Sequence, residues 1–327
     1  MISMVDSSEL VRAGIAHLED GQWHAAIRCF DEAIILRQAT DWKSNPADAW
    51  GLAAAWINRS DAMRAIGYLP DAIESLLNAI RAMDFVPLPD HPAYPERLIL
   101  AWTNLAACHA DSLQFQPAYR AFSHAEELLN TWGRDLTPTR RFLGAMVHTN
   151  RARLLLSEGN HIAAWQDASL AVETLRDLET EPEAIPAAIQ ARGVLCTALA
   201  QLLEDPRSAE LEQDWIARAT DSAEEALILA RSVEYQGEWL TGLVRYCAKI
   251  YRICQPHFLA EFILETCAPP LFPDMSSSLK NDLLSELALA KSDLILRISG
   301  SSHETDFMQT QLKILRSLQF AESELAK

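Results

Sequence analysis

The stretch GQWHAAIRCFDEA, residues 21–33, decides how this chain folds, because offsets of 46 residues bring it back. It reappears as GYLPDAIESLLNA at 67–79, LQFQPAYRAFSHA at 113–125 and GNHIAAWQDASLA at 159–171. Each copy keeps a small residue at Ala26, Ala72, Ala118 and Ala164, and another at Ala33, Ala79, Ala125 and Ala171. Between them stand Phe30, Leu76, Phe122 and Ala168. An Ala-x3-Phe-x2-Ala spacing puts these positions on one stripe of a helix. The small residues admit a neighbouring helix closely, and the large one fills the space beside them. Five residues upstream, Gly21, Gly67, Leu113 and Gly159 mark the end of a preceding helix, where a left-handed residue is wanted. Leu10, Trp56, Trp102 and His148 share a register within that preceding helix.

The repeated unit is therefore a pair of helices joined by a tight turn, and a series of such pairs predicts an all-α array. Pro70 and Pro117 fall in the first turn of the second helix, where proline is tolerated. Asn45-Pro46 and Thr137-Pro138 read as a capping residue followed by a helix start.

Trp-x2-Leu or its equivalent, a Gly-x-aromatic turn and then Ala-x3-Phe-x2-Ala resemble the tetratricopeptide repeat. Gly14, Gly21, Trp23, Ala26, Phe30 and Ala33 carry the likeness in the first unit. Trp102, Leu105, Ala106, Phe115, Ala118, Phe122 and Ala125 carry it in the third. It covers about residues 7–175. The resemblance implies a right-handed solenoid of helical hairpins that binds proteins or peptides on its concave face. Two departures stand out. The family repeats at ~34 residues, and here the period is 46. The proline expected after the second helix is replaced by Gln38, Asp84, Asn130 and Arg176. Long joints follow instead, holding Trp42, Trp50, Tyr94 and Trp132, which suit either a small joint core or an interface anchor.

Further along, helices are expected at 183–204 and 208–232, at 236–253 and 256–268, and at 277–298 and 304–325. The domain reading is four repeats over 1–180, two divergent hairpins over 181–270, and a polar-faced capping hairpin over 271–327. That makes seven hairpins.

Composition narrows the function. Against 28 Lys and Arg stand 45 Asp and Glu, a net charge of −17, which argues against a nucleic-acid backbone binder. The opening MISMVDSSEL lacks a basic, apolar leader, no long apolar run suggests a membrane span, and the six cysteines form no CxxC pair. The expected compartment is the cytoplasm. No glycine-rich phosphate loop, HExxH or GxSxG occurs, and the histidines are dispersed, so neither an enzyme nor a cofactor is expected.

Binding residues should then lie on the first helices, which line the inner face of such an array. Arg12, Asn58, Asn104 and Asn150 share one register there. A carboxamide offers both a donor and an acceptor, so an asparagine series can pair with an extended peptide backbone; asparagine is also simply common in this register. The family resemblance extends to these residues, since superhelical members carry asparagine ladders. Ile57, Asp61, Arg64, Thr103, Ala107, Asp111, Thr149 and Arg153 are expected on the same face, with Asp61 and Arg64 satisfying each other. Residues 136–157 hold Arg140, Arg141, Arg151 and Arg153 and no acid. That cluster fits either an acidic ligand or acids on adjacent helices. The expected partner is a protein or peptide, with acidic groups for Arg12, Arg64 and Arg153. A sensing regulator and a structural assembly subunit are the alternatives.

Overall fold

A computed structural model of the chain describes residues 6–87, 93–131, 137–204, 212–231, 238–266, 277–300 and 305–325. Among these all regular structure is helical. The chain divides into two compact units, Met1–Leu154 and Leu155–Lys327. The first contains α1 (Ser7–Glu19), α2 (Trp23–Gln38), α3 (Pro46–Ala65), α4 (Leu69–Met83), α5 (Tyr94–Asp111), α6 (Phe115–Thr131) and most of α7 (Pro138–Ser157). The second contains α8 (His161–Leu175), a 3₁₀ turn (Arg176–Leu178), α9 (Ile185–Glu204), α10 (Glu212–Arg231) and α11 (Glu238–Cys254). It continues through α12 (Pro256–Thr266), α13 (Ser277–Gly300) and α14 (Thr305–Leu325).

Four turns share one geometry. Residues 20–22, 66–68, 112–114 and 158–160 join α1 to α2, α3 to α4, α5 to α6 and α7 to α8. The middle residue of each is left-handed, with φ of 69° at Gly21, 81° at Gly67, 57° at Leu113 and 74° at Gly159. The backbone N–H of the next residue reaches back five positions, from Gln22 to His17, Tyr68 to Met63, Gln114 to His109 and Asn160 to Leu155, at 2.7–2.9 Å. This is the Schellman closure, which satisfies carbonyls that a helix end leaves orphaned. In the first and third turns a side-chain bond reinforces it, His17 Nδ1 to Gln22 Oε1 and His109 Nδ1 to Gln114 Oε1, both 2.8 Å.

The repeated stripe is the core. Ala26, Phe30, Ala33, Ala72, Leu76, Ala79, Ala118, Phe122 and Ala125 in the first unit are sealed from water, as are Ala164, Ala168 and Ala171 in the second. Gly14 of α1 is required by this packing, since a Cβ there would sit 2.5 Å from the Phe30 ring. In the first unit each helix from α1 to α6 packs on the next, and α3 also touches α1 and α5.

The joints build a second small core. Trp42 and Trp50 pack against Ala49, Leu52, Met83, Val86 and the buried Tyr94. Trp42 meets Phe85 edge-on at 5.1 Å between centroids, so one joint leans on the next. Arg97 of α5 lies 3.5 Å above the Trp50 ring and donates to the Trp50 carbonyl at 2.9 Å. These aromatics are core; Trp132 lies outside the described residues. Asn45 caps α3 by accepting from Ala47 N at 3.1 Å, and Thr137 caps α7 by accepting from Arg140 N at 3.3 Å.

In the second unit α9 packs against α8, α10 and α11, while α13 packs on α11 and α14. Among the described residues α9 alone is long and apolar enough to cross a membrane, and most of it is buried within its unit. Cys196 and Cys247 are buried there as free thiols, and Cys196 together with burial pushes the Cys247 thiol well above its ordinary range. On α13 and α14, the pair expected to form a polar-faced cap, Leu289, Ile295, Leu296, Leu312 and Phe320 are exposed.

A leucine in the left-handed region costs about 1–2 kcal/mol relative to a glycine's indifference, and Leu113 is 71% exposed, so it loses little burial on truncation. Leu113→Gly is therefore expected to stabilise by about 0.5–1 kcal/mol in urea denaturation, and Gly67→Ala to destabilise by about 1 kcal/mol. Gly14→Ala, which forces the Phe30 ring aside, should cost about 1–3 kcal/mol.

Candidate functional site

The face shared by α3, α5 and α7 carries the asparagine register. Its helices come first in successive 46-residue units, and side chains on neighbouring ones meet at sequence separations near that period. Two side-chain links on α3 and α5 bear on the predicted residues. Asn104 Nδ2 donates to Asp61 Oδ1 at 3.0 Å, and Arg64 Nε donates to Asp111 Oδ2 at 2.7 Å. Both tie α3 to α5.

These links revise the sequence reading. Asp61 and Arg64 do not satisfy each other; each takes its partner from α5. Asn104 is only 9% exposed and its amide is engaged. Asn58 and Asn150 are half-buried, and neither makes a side-chain hydrogen bond among the described residues. The register explains the difference. The position that meets Asn104 is Asp61, and its equivalents one unit either way are Ile15 and Ala107, which offer Asn58 and Asn150 no acceptor. Ile57, Thr103, Ala107 and Thr149 are buried in helix packing rather than open on the face. Thr103 Oγ1 turns back to the Ile99 carbonyl at 2.7 Å.

The arginines are largely absorbed by the protein's own acids. Arg64 is paired with Asp111, Arg140 lies 3.7 Å from Glu96, and Arg151 pairs with Glu126. Arg59, in the register of Arg151, bonds Asp31 at 2.6 Å and Ser75 at 2.7 Å, which ties α3 to α2 and α4. Arg12 is exposed and donates to the Ser8 carbonyl of its own helix at 3.4 Å. Arg153 is exposed on α7.

Asp61 is the unusual group. Water reaches it, yet the protein packed around it pushes its carboxyl up to about 7, and the positive charge of Arg64 only partly opposes that shift. Beside it, burial pushes the Cys108 thiol up to about 12, against the pull of Arg64. That makes Cys108 a poor nucleophile. Among the described residues no three of His, Cys, Asp and Glu gather in a way that could hold a metal ion. Asp61, Asn104 and Arg64 were each legible as inner-face residues. Their pairing was not, because it depends on how α5 is staggered against α3.

No protein-family model matches this chain, and no curated protein matches it.

The desolvation of Asp61 predicts a measurable titration. The Asp61 carboxyl resonance, followed by ¹³C NMR, should show a midpoint near 7, and Arg64→Gln should raise it because the opposing charge is gone. A midpoint near the ordinary aspartate value of about 4 would contradict it.

Proposed function

We propose that this chain is a tetratricopeptide-like solenoid of seven helical hairpins, a non-enzymatic, cytoplasmic interaction module that holds a peptide segment along its inner face. The reading needs no cofactor. Asn58 and Asn150 present unengaged carboxamides to the peptide backbone, Arg12 and Arg153 meet acidic groups on it, and Asn104 and Arg64 keep α3 and α5 in register beneath it. One observation carries this: two carboxamides at equivalent positions of α3 and α7 are half-exposed and have no hydrogen-bond partner among the described residues. A carboxamide satisfied inside the protein could not pair with a ligand, and an unsatisfied one at this depth is better bonded to a peptide than to intermittent water.

A second reading, a structural assembly subunit, draws on the apolar side chains that α13 and α14 expose, Leu289, Ile295 and Leu296 above all.

The peptide reading is tested by selecting peptides from a random dodecamer display library on the purified chain. Selected peptides should bind the Asn58→Ala, Asn150→Ala double variant at least tenfold more weakly, about 1.4 kcal/mol, while its circular dichroism melting curve stays unchanged. Equal binding by the double variant would end this reading. Stable self-association in sedimentation, with no peptide selected, would favour the assembly subunit.

A further inference from the structure

Once the internal ion pairs of α3 and α5 are set aside, one acid is left over. Asp48 lies 3.8 Å from Arg37, Glu96 3.7 Å from Arg140, and Asp111 2.7 Å from Arg64. Arg59 is held by Asp31, and Arg97 lies on the Trp50 ring. Asp61 alone among the acids of these two helices has no base within ion-pairing distance among the described residues, and its partner is the neutral amide of Asn104. An amide steadies one carboxylate oxygen but brings no charge, and Arg64 offsets the carboxylate only in part.

We propose that Asp61 receives a basic side chain, lysine or arginine, from the bound peptide. This rests on the peptide reading above and names the chemistry of its partner at one position. Three observations converge on it. Asp61 is reachable from solvent. Asn104, nearly buried and bonded to Oδ1, fixes the carboxylate against α5. The inner-face cation that could have neutralised it, Arg64, is committed to Asp111. Charge complementarity over longer range acts the same way, since a chain of net charge −17 draws in a basic segment faster than an acidic one. The acidic partner groups expected from Arg64 therefore have no free cation at that residue, because Asp111 already holds it.

Proton linkage should accompany this contact. The charged groups around Asp61 are Arg64 on its own helix and Asp111 on α5, with the neutral thiol of Cys108 beside them. None from α1, α2 or α4 enters this network among the described residues. A basic ligand binds only the ionised carboxylate. With a carboxyl that titrates near 7, affinity should rise about tenfold between pH 6 and pH 8.

The test uses the same display selection on the full chain. Peptides recovered on the wild type should share a lysine or arginine at one fixed position, and the Asp61→Asn selection should lose that preference. A synthetic peptide of the recovered sequence should bind Asp61→Asn at least tenfold more weakly than wild type at pH 8. Asp61→Glu, which restores the charge, should recover most of the affinity and so exclude a folding defect. The pH 6 to pH 8 difference should vanish in Asp61→Asn. Peptides that depend on Asn58 and Asn150 but carry no shared base would overturn the Asp61 assignment and leave the peptide reading intact. Recovery of no peptide at all would overturn both.

Discussion

Everything in the first unit depends on how a helix is allowed to end. A turn of three residues returns the chain only if its middle residue goes left-handed, and only then do the last carbonyls find donors. Gly21, Gly67 and Gly159 meet that demand without steric cost, whereas Leu113 meets it under strain. The turn sets the two helices face to face, and the alanines at 26, 33, 72, 79, 118 and 125 let them close until no water remains between them. Glycine at 14 extends the same logic by giving room to an aromatic ring. Because the closure repeats every 46 residues, the first helices of successive units are brought side by side, and α3 touches both α1 and α5.

Adjacency of equivalent helices then governs the electrostatics. Side chains that look isolated along one helix acquire partners 43 to 47 positions away, as Asp61 does with Asn104 and Arg64 with Asp111. Arg140 is consumed in the same way by Glu96, while Arg59 and Arg151 find Asp31 and Glu126 on neighbouring second helices. Partly exposed pairs of this kind contribute about 0–1 kcal/mol each. Their larger effect is on what remains for a partner: two carboxamides, one carboxylate and the exposed Arg12. This residue of unspent polarity, rather than the total charge, describes the inner face.

The amino-acid sequence made the helices, the turns and their caps legible, because each depends on residues close together in the chain. Asn45 and Thr137 cap as their position before proline implies, and the sealed stripe follows from its spacing alone. The joint aromatics could be placed but not assigned, since whether Trp42 anchors a partner or fills a core depends on Phe85 from the following joint. The inner face was legible only to the level of register. Depth was not: Thr103 and Thr149 share a helix side with their neighbouring asparagines, yet packing takes the threonines and leaves Asn58 and Asn150 half-open. The stagger between α3 and α5 lies beyond any one-helix argument, and it alone decides that Asn104 is spent. The exposed leucines of α13 were likewise hidden, because periodicity shows which stripe is apolar and not whether anything covers a second one.

The account turns on which side chains a bound peptide touches. The direct measurement is a ¹⁵N–¹H NMR titration of the assigned side-chain amides with a selected peptide. Asn58 and Asn150 on the inner helices should shift in step with saturation, while Asn78 on α4 and Gln166 on α8 stay still. Movement of Asn78 or Gln166 with Asn58 and Asn150 unmoved would contradict the account, because it would place the peptide on the second helices and leave the inner carboxamides without a role.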